Sequence, residues 1–123
     1  ARIARIGGKV GVVGYCWGGS LAWLSAARLA GTIDAAVGYY GGQIHEFRSE
    51  TPQVPAMLHF GMMDPLIPPE HVAAIRTAQP QVPIHDYPAG HGFGCEARAD
   101  FHPESAALAR NRTLQFLADA LEA

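Results

Sequence analysis

A glycine-flanked cysteine directly after a valine-rich run constrains this chain more than any other feature. Residues 10–13 read Val-Gly-Val-Val and lead into Gly14-Tyr15-Cys16-Trp17-Gly18-Gly19. The form G-x-C-x-G is that of a nucleophile elbow, a sharp turn from a strand into a helix. The residue at its tip takes strained backbone angles and exposes its side chain above the sheet. The residues two before and two after it lie where strand and helix nearly touch, and glycine has no Cβ to clash there. The turn also aims the backbone N–H of Trp17, at the helix start, toward the point where an oxyanion forms. Cysteine in place of serine gives a softer, more acidic nucleophile. The competing reading is a small buried cysteine in a glycine turn.

Composition bounds what surrounds this motif. The chain has 123 residues, the size of one ordinary domain, with 49% hydrophobic and 16% charged residues. Such a chain is globular rather than disordered. Its formal net charge is −2 and no basic block is present, so it offers nucleic acid no electrostatic footprint. No apolar stretch is long enough to span a bilayer, and no signal peptide is recognisable. Two cysteines without a scaffold pattern point to a reducing, cytoplasmic setting. The chain opens on Ala1 and reaches a central-looking strand almost at once. Residues 1–123 therefore read as a single partial domain, with residues 1–8 as the tail of a preceding helix or a linker.

The remaining pattern alternates strands and helices. Residues 9–15 read as a buried parallel strand and residues 20–30, rich in alanine and leucine before Gly31, as a helix with a glycine stop. Residues 35–40, 56–61 and 82–87 read as further strands, and residues 43–54 and 90–102 as loops. Proline at position 69 opens a helix over 69–78. A last amphipathic helix runs over 103–121, with Leu108, Leu114, Phe116, Leu117 and Leu121 available for a buried face. The fold class is thus α/β, a mostly parallel sheet of about four strands flanked by helices. If no upstream strand pairs with residues 9–15, that strand presents an open apolar edge to other chains.

Chemistry in such sheets gathers at the carboxyl ends of the strands. Cys16 follows the first of these strands, Asp64 the third in Gly61-Met62-Met63-Asp64-Pro65, and His91 the fourth in Gly90-His91-Gly92-Phe93. A thiol is mostly protonated at neutral pH, so an adjacent imidazole is needed to draw off its proton. The imidazole needs a carboxylate to fix its tautomer and stabilise the imidazolium. Asp64 is otherwise a turn residue or helix N-cap, and His91 a surface-loop residue. Placement after three different strands favours the joint reading.

These segments resemble the dienelactone hydrolase family (carboxymethylenebutenolidases) of the α/β-hydrolase superfamily. The likeness rests on residues 10–19, on Tyr39-Tyr40-Gly41, on Gly61 to Asp64 with Ile67-Pro68, and on Tyr87 with His91-Gly92-Phe93. It extends to Arg98, Ala106-Ala107, Arg112-Thr113-Leu114 and Phe116. The resemblance implies the C-terminal half of an α/β-hydrolase fold and a Cys–Asp–His triad at Cys16, Asp64 and His91. It implies a small ester or lactone substrate and no cofactor. The family's early strand, which supplies a second oxyanion donor, has no counterpart here, nor do its N-terminal acidic residue and N-terminal arginine. The family's arginine shortly after the catalytic histidine maps near Gly94 to Ala97, with Arg98 somewhat later.

Among the remaining residues, Trp17 walls the pocket or packs in the core. Tyr39 and Tyr40 end a strand on the active edge, where one of them lines the pocket or both pack in the core or at the surface; Tyr39 and Arg98 are the candidate substrate contacts. His45, His59, His71, His85 and His102 lack metal-ligand spacing, so no metal is expected. Cys95 is either a redox partner of Cys16 or a buried inert thiol. Arg112 suggests a structural ion pair. The expected activity is hydrolysis of an ester or lactone through Cys16, His91, Asp64 and the Trp17 N–H. The alternatives are an inactive structural or binding half that works with a complementary N-terminal segment or as a homo-oligomer, and a thioesterase or peptidase-like relative.

Overall fold

The computed structural model describes residues 2–6 and 8–122. Five strands form one sheet: β1 (Arg2–Ile6), β2 (Lys9–Tyr15), β3 (Ala35–Tyr39), β4 (Ala56–Gly61) and β5 (Ile84–Tyr87), in that spatial order. β2 to β5 run parallel, and β1 pairs antiparallel with β2. Residues 2–6 are thus a strand rather than a helix tail or linker, and they cover the edge of β2 expected to be open. A turn at Gly8, with φ +85, reverses the chain between β1 and β2. Three helices complete the fold: α1 (Trp17–Arg28), α2 (Pro69–Ala78) and α3 (Pro103–Glu122). The segment read as a loop over 43–54 contains a short 3₁₀ turn, Ile44–Phe47, to which the Trp23 indole N–H donates at the Phe47 carbonyl (3.0 Å).

Alternation along the strands separates two faces. Val12 and Ala36 pack with Ala22 and Ala26 of α1. Val13, Ala35 and Val37 belong to the larger core with Leu117 and Leu121 of α3. Gly11 lies under α3, where a Cβ would sit 3.0 Å from a Leu117 methyl. The buried stripe of α3 is Ser105, Ala109, Thr113, Leu117 and Leu121, a strict i, i+4 repeat. Leu108 and Leu114 face solvent, against the expected apolar face, because that repeat turns them away from the sheet.

A polar chain runs through the α3 face. His59, with no exposed surface, places Nδ1 2.7 Å from the Tyr87 hydroxyl and Nε2 2.9 Å from Thr113 Oγ1. Thr113 Oγ1 is 2.8 Å from the Tyr39 hydroxyl. Arg112 donates to the Tyr87 hydroxyl at 3.3 Å and lies over its ring, rather than forming the expected ion pair. A neutral His59 satisfies this chain in one direction: Tyr87 donates to Nδ1, Nε2–H donates to Thr113, and Thr113 donates to Tyr39. Burial, with His85 and Arg112 adding like charge, lowers the His59 pKa to about 3.

Close approach on the α1 face depends on glycine. A Cβ on Gly14 would fall 1.8 Å from the Gly18 carbonyl oxygen, and one on Gly19 would fall 2.5 Å from the Tyr39 carbonyl oxygen. Gly42, by contrast, has open space around it.

Two outcomes follow from this packing. Gly14→Ala is expected to destabilise by about 3 kcal/mol or more in denaturant unfolding, because backbone rather than a flexible side chain blocks the methyl. Gly42→Ala is expected to stay within about 0.5 kcal/mol. For His59, the unfolded histidine (ordinary pKa 6.5) binds a proton before the folded one does. Stability is therefore complete above about pH 6.5 and falls as pH drops toward 3. Between about pH 7.5 and about pH 5 the loss from this group is about 2 kcal/mol, and His59→Gln should remove that share of the pH dependence.

Candidate active site

Cys16 sits between the end of β2 and the first residue of α1, at φ 57 and ψ −123. A positive φ in a residue with a β-carbon is a strained conformation held by its surroundings. The Cys16 N–H donates to the Tyr39 carbonyl (3.0 Å), and the Cys16 carbonyl accepts from the Gly19 N–H (2.9 Å). Both strand and helix therefore pin the strained residue. Trp17 is the first residue of α1, so its backbone N–H lies among the unpaired amides of a helix N-terminus. Its side chain is 67% exposed and packs into no core.

Asp64 and His91 meet across the ends of β4 and β5. The Met62 N–H donates to the Tyr87 carbonyl (2.7 Å) and the Met63 N–H to the Ala89 carbonyl (3.0 Å), which ties the two loops together. Gly61 permits this approach, since a Cβ there would lie 2.3 Å from the Ala89 oxygen. The Asp64 side chain has no exposed surface. Its Oδ1 accepts the Leu66 N–H at 2.8 Å, and its Oδ2 lies 2.6 Å from His91 Nδ1. Asp64 is thus a turn residue with one oxygen and an imidazole partner with the other. An ionised Asp64 holds the proton on Nδ1 and leaves His91 Nε2 as the basic nitrogen.

Cys16 and His91 line one cavity of about 310 Å³ together with Trp17, Gln43, Glu46 and Leu66. A second cavity, about 490 Å³, is also lined by Cys16, together with Tyr15, Tyr40, Cys95, Glu96 and Arg98. Arg98 Nη1 lies 3.9 Å from the Cys16 sulfur. Gly92, at φ +76, makes room for Arg98: a Cβ there would lie 2.4 Å from its Cδ. Burial pushes the Cys16 thiol up. Arg98 opposes this, while Cys95 and Asp64 add to it, and the net direction is upward. Cys16 therefore rests as a neutral thiol.

Tyr39 lines neither of these cavities but one that adjoins the second, sharing Tyr15, Gly94 and Glu96 with it. It is 3% exposed and its hydroxyl is paired with Thr113, because it shares the α3 face with Val37. It lines a different, smaller cavity beside Phe101 and Arg110. Tyr40, the next residue, lines the Cys16 cavity instead. Cys95 is exposed rather than buried, and both cysteines are free thiols. Among the described residues no three His, Cys, Asp or Glu side chains group in a way that could hold a metal ion. No helix of the described residues is long and apolar enough to cross a membrane. Glu46 and Leu66 had no motif to mark them, whereas Tyr40 was marked by Tyr39-Tyr40-Gly41 at a strand end.

Comparison with known proteins matches this chain to a known family. A family model described as the dienelactone hydrolase family matches residues 2–121. The carboxymethylenebutenolidase of Pseudomonas putida is 42% identical over 117 residues, covering 90% of this chain and 49% of that protein. Carboxymethylenebutenolidase 1 of Cupriavidus pinatubonensis is 35% identical over 116 residues, covering 90% of this chain and 49% of its own length. A crystal structure assigned as a dienelactone hydrolase of Klebsiella pneumoniae superposes with a TM-score of 0.80 at 30% identity, covering 88% of this chain and 51% of that one. The esterase Pf2001 of Pyrococcus furiosus shares the fold at a TM-score of 0.70 and 15% identity, covering 92% of this chain and 55% of its own. The chain spans about half the length of the curated relatives it matches. On the extent of these matches, the chain belongs to the dienelactone hydrolase family.

Proposed function

We propose that this chain carries the reacting groups of a carboxylic ester or lactone hydrolase of the carboxymethylenebutenolidase kind. The observation that carries the reading is the buried Asp64 carboxylate 2.6 Å from His91 Nδ1, with His91 and Cys16 lining one cavity. In this reading His91 Nε2 takes the Cys16 proton as the sulfur attacks the carbonyl carbon. The oxyanion receives the Trp17 N–H at the α1 N-terminus. Collapse expels the alcohol, protonated by His91, and leaves a thioester on Cys16. His91 then activates water to release the acid and restore the thiol. Asp64 keeps the imidazole in the required tautomer throughout.

Substrate recognition is assigned to the cavity walls. Arg98 is the cation beside the sulfur, suited to an anionic group on the substrate. Trp17 and Leu66, 67% and 65% exposed, offer apolar surface to its hydrocarbon part. The residues needed for this chemistry are all side chains or backbone amides, so no cofactor enters the scheme. A second oxyanion donor would come from a complementary N-terminal segment or a second copy of the chain. The two free thiols suit a reducing compartment such as the cytoplasm.

Hydrolysis of p-nitrophenyl acetate tests the assignment. Cys16→Ala should abolish turnover. Asp64→Asn should lower it by about 10⁴, the cost of the same change in a serine protease triad. An Asp64→Asn variant with unchanged turnover would leave Asp64 only its contact with Leu66.

A further inference from the structure

Tyr40 carries the single buried side-chain polar atom that lacks a hydrogen-bond partner among the described residues. The residue is 1% exposed. An unpaired hydroxyl in such a place costs folding free energy, and native structures rarely keep one without a reason. Its position is closely held. Tyr40 follows β3 with φ 38, and its N–H donates to the His59 carbonyl at 2.7 Å. Its ring lies 5.1 Å from the His91 ring and 5.2 Å from that of Phe93, centroid to centroid. The Gly94 backbone bears on the phenol oxygen, but an N–H there can only donate, and its geometry falls short of a hydrogen bond. The hydroxyl's own proton has no acceptor at rest.

The cavity that Tyr40 lines also holds Cys16. The sulfur's long contact there is Arg98, at 3.9 Å, well beyond the length of a strong charge-assisted hydrogen bond. A thiolate formed at Cys16 therefore gains from a further donor in the same cavity. Taking Cys16 as the reacting group, as proposed above, we propose that the Tyr40 hydroxyl donates to the Cys16 sulfur in its thiolate form. At rest the hydroxyl makes no hydrogen bond to the sulfur; it lines the same cavity and gains its acceptor when the charged sulfur is drawn toward it. Interactions stronger in the reacting state than at rest are those that raise rate. Tyr40 gives up no proton in this step. Burial and the neighbouring Cys16 charge push the phenol upward, which keeps it a donor.

Tyr40→Phe removes the oxygen and keeps the ring against His91 and Phe93. The charged and titratable groups around Cys16, namely His91, Asp64, Arg98, Cys95, Tyr15, Glu46 and Glu96, are unchanged by it. The measurement is iodoacetamide labelling of this chain from about pH 6 to about pH 10, read site by site by peptide mapping, with thermal unfolding alongside. The Cys16 midpoint should move up by about one pH unit, a tenfold fall in labelling at neutral pH, with Cys95 unaffected. The Tm should rise by about 3 °C, because a buried unpaired group is gone. An unmoved Cys16 midpoint overturns the proposal. A lowered Tm also overturns it, since the hydroxyl would then be holding the fold. Labelling does not depend on hydrolysis. A chain without esterase activity whose midpoint still shifts contradicts the proposed reaction and supports the role of Tyr40.

Discussion

The contact between Gly14 and the Gly18 carbonyl sets the geometry of the whole carboxyl edge of the sheet. A strand ends and a helix begins within a few residues there, and no Cβ fits between them. That closeness holds Cys16 in its left-handed conformation at the tip. The strained residue is not left to itself, because the Tyr39 carbonyl takes its N–H and the Gly19 N–H takes its carbonyl. Strain at one residue is thus offset by hydrogen bonds to the neighbouring strand and to the helix it opens. The parallel register aligns Tyr15, Tyr39 and His59 in one row, so the loops that follow each strand emerge side by side.

Two kinds of polar group share that edge, and they are treated differently. On the α3 face Arg112, Tyr87, His59, Thr113 and Tyr39 form a closed chain of hydrogen bonds. Every member has a partner, and the chain ties α3 to three strands. Around Cys16 the groups are incompletely paired. The thiol is pushed up by burial, Arg98 reaches it only at 3.9 Å, and the Tyr40 hydroxyl has no partner. Networks that are fully satisfied specify structure, whereas groups left short of a partner at rest are available to a ligand or a reacting state. Asp64 and His91 bridge the two regimes. One carboxylate oxygen secures a turn and the other orients the imidazole.

Much of the fold was legible because it rests on local signals. The valine-rich run before Gly14 and the proline at position 69 each mark an element through backbone sterics, whereas α1 ends at Arg28, short of the expected stop at Gly31. Candidate triad positions were legible for the same reason, since each follows a strand closed by glycine or proline. Residues 2–6 were harder to place. Whether such a short segment becomes a strand depends on a partner edge, which here is β2. The buried face of α3 was misjudged for a related reason. Leu108 and Leu114 are apolar, but the helix turns Ser105 and Thr113 inward, where Thr113 meets His59 and Tyr39.

The sequence by itself determined the elbow, the α/β alternation and the family, because glycine spacing and strand-end positions follow from short-range sterics. Only the tertiary structure decided which tyrosine faces Cys16. Period-two alternation carries Tyr39 to the α3 face with Val37, and the positive φ of Tyr40 just past the strand carries its ring to His91. The charge state of the thiol was also a tertiary matter. Residue type says that cysteine is the more acidic nucleophile, but burial and the neighbours around Cys16 set the direction in which it moves. Desolvation and unpaired hydrogen-bonding groups are properties of an assembled surface, and no local stretch of sequence encodes them.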